Sequence, residues 1–151
     1  MKDLDWSNLS FGYRQTDYNV RCYYRDGKWG EIEVCSDEYL KLHMAATCLH
    51  YGQEAFEGLK AYRCPDGKVR VFRMDENAKR LQSTCRGILM PEVPTEMFEE
   101  MVKKVVRLNQ EWIPTYESGA TLYIRPLLIG TSAQVGVHPA TEYCFLIFVT
   151  P

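Results

Sequence analysis

The stretch Gly58-Leu59-Lys60-Ala61-Tyr62-Arg63, continued by Cys64-Pro65-Asp66-Gly67-Lys68 and Val69-Arg70-Val71-Phe72, sets the class of fold. Two short runs flank a Pro-Asp-Gly turn, which is the pattern of a β-hairpin. In the second run Val69 and Val71 share one face, and Arg70 and Phe72 share the other. Directly after it, Asp75 stands where a helix cap belongs, because its carboxylate accepts from the exposed N–H groups of a first turn. The expected helix covers about 75–86, and Pro91 and Pro94 punctuate its exit. Thr95 opens a second helix, in which Phe98, Met101, Val102, Val105, Leu108 and Trp112 recur at helical spacing and make one apolar face. The pairs Glu99–Lys103 and Glu100–Lys104 are in the favourable order, each worth roughly 0.3–0.5 kcal/mol, and mark a solvated face. Pro114 is expected to stop this helix.

Two further strands follow, over 121–128 and 143–149. The second, Tyr-Cys-Phe-Leu-Ile-Phe-Val, does not alternate, as suits a strand covered on both faces. On the N-terminal side, Val20-Arg21-Cys22-Tyr23-Tyr24 and Gly30-Glu31-Ile32-Glu33-Val34-Cys35 flank Asp26-Gly27, a second hairpin signal. Its alternating second run predicts a half-buried strand. The segment 40–49 reads as helical or irregular, and residues 1–18 as a polar arm with scattered aromatics. Strands grouped before and after paired helices give an α+β fold, a mostly antiparallel sheet with two main helices packed on it.

A chain of 151 residues is the size of one domain. With 46% hydrophobic and 25% charged residues it has the composition of a globular domain, which excludes an intrinsically disordered chain. No apolar run approaches the ~20 residues of a membrane helix, so no membrane partner is expected. The opening MKDLDWSNLS lacks the apolar stretch of a signal peptide. Net charge is −2, without the basic footprint that nucleic acid requires. Cys22, Cys35, Cys48, Cys64, Cys85 and Cys144 form no CxxC pair, and we read them as reduced thiols of a cytoplasmic protein.

Tyr123 and Arg125 are two apart on a strand, so both leave one face while Leu122 and Ile124 leave the other. A phenol beside a guanidinium fork suits a carboxylate. An edge strand with a solvated arginine has the same spacing. Arg73, Lys79 and Arg80 place three cations within two turns, enough to neutralise a phosphate or simply to face water. The loop Gly130-Thr131-Ser132-Ala133-Gln134-Val135-Gly136-Val137-His138-Pro139 is rich in small residues but lacks phosphate-loop spacing. His43, His50 and His138 have no metal-ligand spacing. From residues alone, the reading reaches an anion-binding α+β domain.

Three blocks in order carry a resemblance. Leu49-His50-Tyr51-Gly52-Gln53-Glu54-Ala55-Phe56-Glu57-Gly58-Leu59-Lys60-Ala61-Tyr62 is similar to a signature of branched-chain amino acid aminotransferases. Phe72-Arg73 through Asn77-Ala78-Lys79-Arg80-Leu81 resembles that family's next block. Leu122-Tyr123-Ile124-Arg125-Pro126-Leu127-Leu128-Ile129-Gly130, with Val135-Gly136-Val137 behind it, resembles a third.

The resemblance implies the N-terminal domain, residues 1–151, of a fold type IV enzyme dependent on pyridoxal 5′-phosphate. It implies transamination of leucine, isoleucine or valine with 2-oxoglutarate by a ping-pong scheme, in a cytoplasmic homodimer. Branched-chain amino acids, glutamate and their 2-oxo acids are then the small-molecule partners. Position by position, it makes Arg80 the ligand of the cofactor phosphate. Tyr123 and Arg125 become the pair that recognises the substrate carboxylate. Phe56 becomes an aromatic wall of the substrate pocket, and Tyr51, Val135 and Val137 become residues that reach the neighbouring subunit's site. The family's cofactor-anchoring lysine is expected in a second domain. None of Lys2, Lys28, Lys41, Lys60, Lys68, Lys79, Lys103 and Lys104 lies in a segment resembling its motif, so this chain alone is expected to be inactive. The alternatives are another fold type IV enzyme, a D-amino acid aminotransferase or an aminodeoxychorismate lyase, and a non-catalytic binding or dimerisation module.

Overall fold

The longest strand, Leu122–Gly130, pairs along its length with the most buried one, Tyr143–Thr150, and the rest of the molecule is arranged about that pair. The structure is a computed structural model and describes residues 1–151. In chain order the strands are β1 (Asn19–Arg25), β2 (Lys28–Trp29), β3 (Glu33–Cys35), β4 (Glu54–Phe56), β5 (Leu59–Arg63), β6 (Val69–Val71), β7 (Leu122–Gly130) and β8 (Tyr143–Thr150). The helices are α1 (Thr47–Tyr51), α2 (Met74–Gly87) and α3 (Thr95–Leu108). One antiparallel sheet runs β2-β1-β8-β7-β5-β6, with β3 also on β1 and β4 also on β7.

The unbroken apolar run of β8 has the physical cause expected for it. Phe145, Ile147 and Val149 enter the main core under α2 and α3, while Cys144 and Leu146 pack on the opposite face with Ile129. Leu40, Leu42 and Cys48, from the irregular segment before and into α1, cover that second face. Phe98 of α3 stacks on Phe145 with ring centroids 6.0 Å apart. Each such fully buried side chain contributes about 1.5–3 kcal/mol from removal of apolar surface from water.

The hairpin that decides the class is β5–β6, with Ala61 opposite Val71 and Arg63 opposite Val69. Asp26 and Gly27, both at positive φ, turn the chain between β1 and β2, the geometry of a tight hairpin.

Three local expectations are corrected. The run 30–35 is interrupted: Gly30 donates to the Tyr23 carbonyl at 2.8 Å, and pairing resumes only at Glu33. The interruption leaves β3 at the sheet edge with Val34 exposed, so it is not half-buried. Asp75 lies inside the first turn of α2. The cap position is Arg73, in the left-handed conformation and without a side-chain cap bond. The second helix ends at Leu108, well before Pro114, because the buried Asn109 side chain donates to the Val105 carbonyl and holds the incoming arm residues. Trp112 then falls in a short 3-10 turn.

Pro126 sits inside β7, where proline would normally cost a ladder bond. It lies opposite the interruption between β4 and β5. There its carbonyl accepts from the Glu57 N–H at 3.0 Å, so the missing donor faces a break in the neighbouring strand. That break, Glu57-Gly58, is where α2 meets the sheet.

Candidate functional site

β7 carries Tyr123 and Arg125 on the face away from the helices, while Leu122 and Ile124 are fully buried beneath α2 and α3. The two-residue period therefore puts both polar side chains in one cleft. Arg125 Nε donates to the Tyr123 hydroxyl at 3.1 Å. Its guanidinium lies 4.5 Å from the centroid of Phe56 and 5.2 Å from that of Tyr123, so it rests between two aromatic faces. Tyr123 runs so close past β5 that its hydroxyl would stand 2.6 Å from a Cβ on Gly58.

The N-terminal arm closes one side. Phe11 meets Tyr123 edge-on at 5.2 Å, and Tyr13 meets Phe148 at 6.0 Å. The arm is fastened by the Arg14 N–H donating to Thr150 Oγ1 at 3.0 Å, and by the Tyr13 hydroxyl donating to Glu38 at 2.8 Å. Loss of hydration and the Glu38 carboxylate push the Tyr13 phenol up to about 12. The resulting cleft of about 200 Å³ is lined by Phe11, Tyr13, Tyr123, Arg125, Phe148 and Thr150.

Tyr123 is also a wall of a second depression, of about 250 Å³, with Gly58, Lys60, Phe72 and Asn77. Phe72 and Asn77 in turn border a third, of about 390 Å³, with Arg73, Glu76 and Arg80. The first two share Tyr123 and the last two share Phe72 and Asn77, so the depressions form a strip of shared walls with Arg125 on the first and Arg80 on the last. A larger groove, of about 580 Å³, runs along α3 between Glu96, Glu99, Glu100, Lys103, Lys104 and Arg107. Its three acidic residues precede its three basic ones along a solvated helix face, and it holds none of these residues.

The three cations at the start of α2, Arg73 at its cap and Lys79 and Arg80 within it, divide. Lys79 bonds Glu76 at 2.7 Å and Arg73 lies 3.9 Å from the same carboxylate, both on the water-facing side. Arg80 instead bonds the buried Glu57: Nε lies 2.9 and 3.1 Å from its two carboxylate oxygens, and Nη2 lies 2.6 Å from one of them. Glu57 is 3% exposed whereas the Arg80 side chain is 68% exposed. The bond and charge of Glu57 hold the Arg80 guanidinium more firmly protonated than usual. Asn77 donates to the same carboxylate at 2.9 Å.

Tyr51, Val135 and Val137 form a separate group. The Tyr51 hydroxyl donates to the Val135 carbonyl, and the Gln134 N–H donates to the Ala45 carbonyl at 3.0 Å. Tyr51, Val135 and Val137 are all exposed, and no hydrogen bond joins them to Tyr123, Arg125 or Arg80. Phe56, Tyr123 and Arg125 are thus brought together directly. Arg80 joins them along the strip, and the loop group stands apart.

Glu57, Asn77, Phe11 and Phe148 border the site without any residue spacing that points to them. Glu57 lay within the first quoted block, but a lone carboxylate beside a glycine carries no sign of burial. Phe11 lies in an arm with no periodicity to read.

No family model matches the chain. Among curated relatives, the branched-chain-amino-acid aminotransferase of Haemophilus influenzae is 52% identical over all 151 residues, and that of Helicobacter pylori is 46% identical over the same span. The chain spans 44% of the length of each. Two solved structures of the Escherichia coli branched-chain amino acid aminotransferase match with TM-scores of 0.70 and 0.67, at 26% and 28% identity. Each match covers 90% of this chain, and 40% and 41% of the respective solved chains. A branched-chain aminotransferase from Thermobaculum terrenum, solved in its PLP form, shares the fold with a TM-score of 0.62 at 19% identity, over 91% of this chain and 40% of that one.

Proposed function

We propose that this chain is the N-terminal domain of a fold type IV branched-chain amino acid aminotransferase, and that the protein containing it moves the amino group between leucine, isoleucine or valine and 2-oxoglutarate. Two arginines, Arg125 on the first and Arg80 on the last of the linked depressions, carry this reading, together with relatives of that name that align with the whole of this chain over 44% of their own length. One end suits a phosphate and the other a carboxylate.

The residues present fit pyridoxal 5′-phosphate. Arg80 has one guanidinium edge occupied by Glu57 and a largely exposed remainder, the arrangement required to grip a phosphate. When bound, the cofactor supplies an electron sink for the substrate carbon that loses its proton. The chain's own residues bind and orient. Arg80 holds the phosphate end. Phe56 offers an apolar wall to a branched side chain. The Tyr123–Arg125 pair takes the carboxylate of glutamate or 2-oxoglutarate through paired N–H donors. Because the Arg125 guanidinium lies 4.5 Å from the Phe56 ring centroid, an aromatic face and a cation are presented side by side. That accommodates both halves of a ping-pong exchange.

We assign the cofactor-anchoring lysine to the remainder of the protein, since the chain spans 44% of its two bacterial relatives and none of its eight lysines stands in a segment like the family's lysine motif. The exposed Tyr51, Val135 and Val137 are then contributed to the site of a second subunit in a homodimer. The six free thiols suit a cytoplasmic protein.

The test is substrate profiling of the full-length protein loaded with pyridoxal 5′-phosphate. Turnover of leucine, isoleucine or valine with 2-oxoglutarate is expected. Preference for a D-amino acid, or lyase activity without transamination, overturns the assignment. The 151-residue chain alone is expected to show no sustained turnover.

A further inference from the structure

Glu57 is a buried carboxylate that touches neither substrate nor cofactor in the proposed chemistry and enters it only as the partner of Arg80. It cannot be explained as a surface ion pair, because it is 3% exposed and enclosed at the break between β4 and β5. A carboxylate taken out of water is costly unless its oxygens are satisfied. Here they accept from Arg80 Nε and Nη2 and from Asn77 Nδ2, all within 3.1 Å. Its backbone is equally fixed, the N–H donating to the Pro126 carbonyl at 3.0 Å. Pro126 adjoins Arg125 in β7.

We propose that Glu57 is the positioning residue that aims Arg80 at the cofactor phosphate and ties that end of the cleft to the strand bearing the carboxylate-recognising Arg125. The inference rests on the assignment of Arg80 to the phosphate made above. A guanidinium has five N–H groups in a rigid plane. Glu57 occupies the Nε–Nη2 edge, leaving the Nη1 pair and the outer Nη2 N–H for an oxyanion. An arginine on a surface helix otherwise samples many rotamers. Ordering its side chain before binding removes that entropy cost from the binding step. Net charge alone argues the opposite way, since a neighbouring carboxylate weakens the attraction of Arg80 for an anion. The two effects therefore predict opposite signs for removal of the Glu57 charge.

The experiment uses the full-length protein freed of cofactor. Dissociation constants of pyridoxal 5′-phosphate and of phosphate-free pyridoxal are measured by absorbance titration for the wild type, Glu57→Gln, Glu57→Asp, Arg80→Ala and the double variant Glu57→Gln/Arg80→Ala. Positioning predicts that Glu57→Gln weakens pyridoxal 5′-phosphate about tenfold or more, the loss of one charge-assisted bond's worth of order, while pyridoxal changes less than about twofold. The double variant should bind no more weakly than Arg80→Ala, because Glu57 acts only through Arg80. Glu57→Asp keeps the charge one methylene short and should fall in the same direction, which preserves the test should Glu57→Gln fail to fold. Unchanged or tighter binding by the Glu57 variants, with Arg80→Ala weakened, overturns the positioning role alone. Equal weakening of pyridoxal and pyridoxal 5′-phosphate also overturns it, in favour of a general structural role. Unchanged binding by Arg80→Ala overturns both this inference and the phosphate assignment beneath it.

Discussion

The hydroxyl of Tyr123 lies 2.6 Å from the place a Cβ on Gly58 would occupy, whereas the next nearest ring atoms are 3.4 Å away. A Cβ here would force the Tyr123 side chain to shift, since the backbone of one strand break and the side chain of the neighbouring strand share the space. The same hydroxyl accepts the Arg125 Nε bond, so the vacancy at Gly58 sets where the guanidinium points.

Gly58→Ala should therefore displace Tyr123 and disturb the Arg125 bond without unfolding the sheet. In the full-length protein, under the function proposed above, we expect KM for 2-oxoglutarate to rise by about three- to tenfold, with a smaller change for leucine. Steady-state kinetics with both substrates checks this. Identical KM values for both would remove the functional meaning of the close approach.

Tyr123→Phe deletes the hydroxyl and keeps the ring. It should weaken 2-oxoglutarate by a similar factor, with stability within about 0.5 kcal/mol because the site is partly exposed. It should also relieve the Gly58→Ala clash. The double variant is expected to melt above Gly58→Ala alone, and strictly additive melting temperatures would count against a direct contact.

Asn109 is fully buried and fastens the arm. Its Oδ1 accepts from Asp17 N and Tyr18 N at 3.1 Å each, and its Nδ2 donates to the carbonyls of Tyr18 and Val105 at 2.9 and 2.8 Å. Asn109→Ala leaves those groups unpaired and should cost about 2–4 kcal/mol. Urea denaturation measures the loss, and faster amide exchange over residues 14–18 should accompany it.

Burial raises the Cys144 thiol from 9.0 to about 11, and Cys85 likewise to about 11. Both are essentially inaccessible to solvent. Their folded values exceed the unfolded one, so their contribution is whole below pH 9 and is lost as pH rises through about 11. The urea midpoint should fall over that interval, and Cys144→Ala should flatten the fall. Labelling at pH 8 should reach Cys35 and Cys64 before Cys22, Cys85 and Cys144. Early modification of Cys144 would contradict its burial.

Much of this was legible in the chain because periodicity reports burial directly. Tyr123 and Arg125 were placed on one face by a spacing of two, and the unbroken run of β8 announced its two covered faces. Local pattern and structure part where a residue far along the chain intervenes. Asn109 ends α3 because it must also receive Asp17 and Tyr18, which no local pattern announces. The alternation of 30–35 is interrupted because Gly30 bonds back to Tyr23.

Residue order and spacing thus suffice for the α+β class, the two helices, and the shared face of the Tyr–Arg pair, since each depends on contacts a few residues apart. The partner of Arg80 does not follow from them. Glu57 lies 23 residues away and becomes its partner only when α2 docks at the gap opposite Pro126. Packing against that gap excludes water from the carboxylate. An unremarkable glutamate thereby becomes a fixed, buried charge that holds the arginine in place.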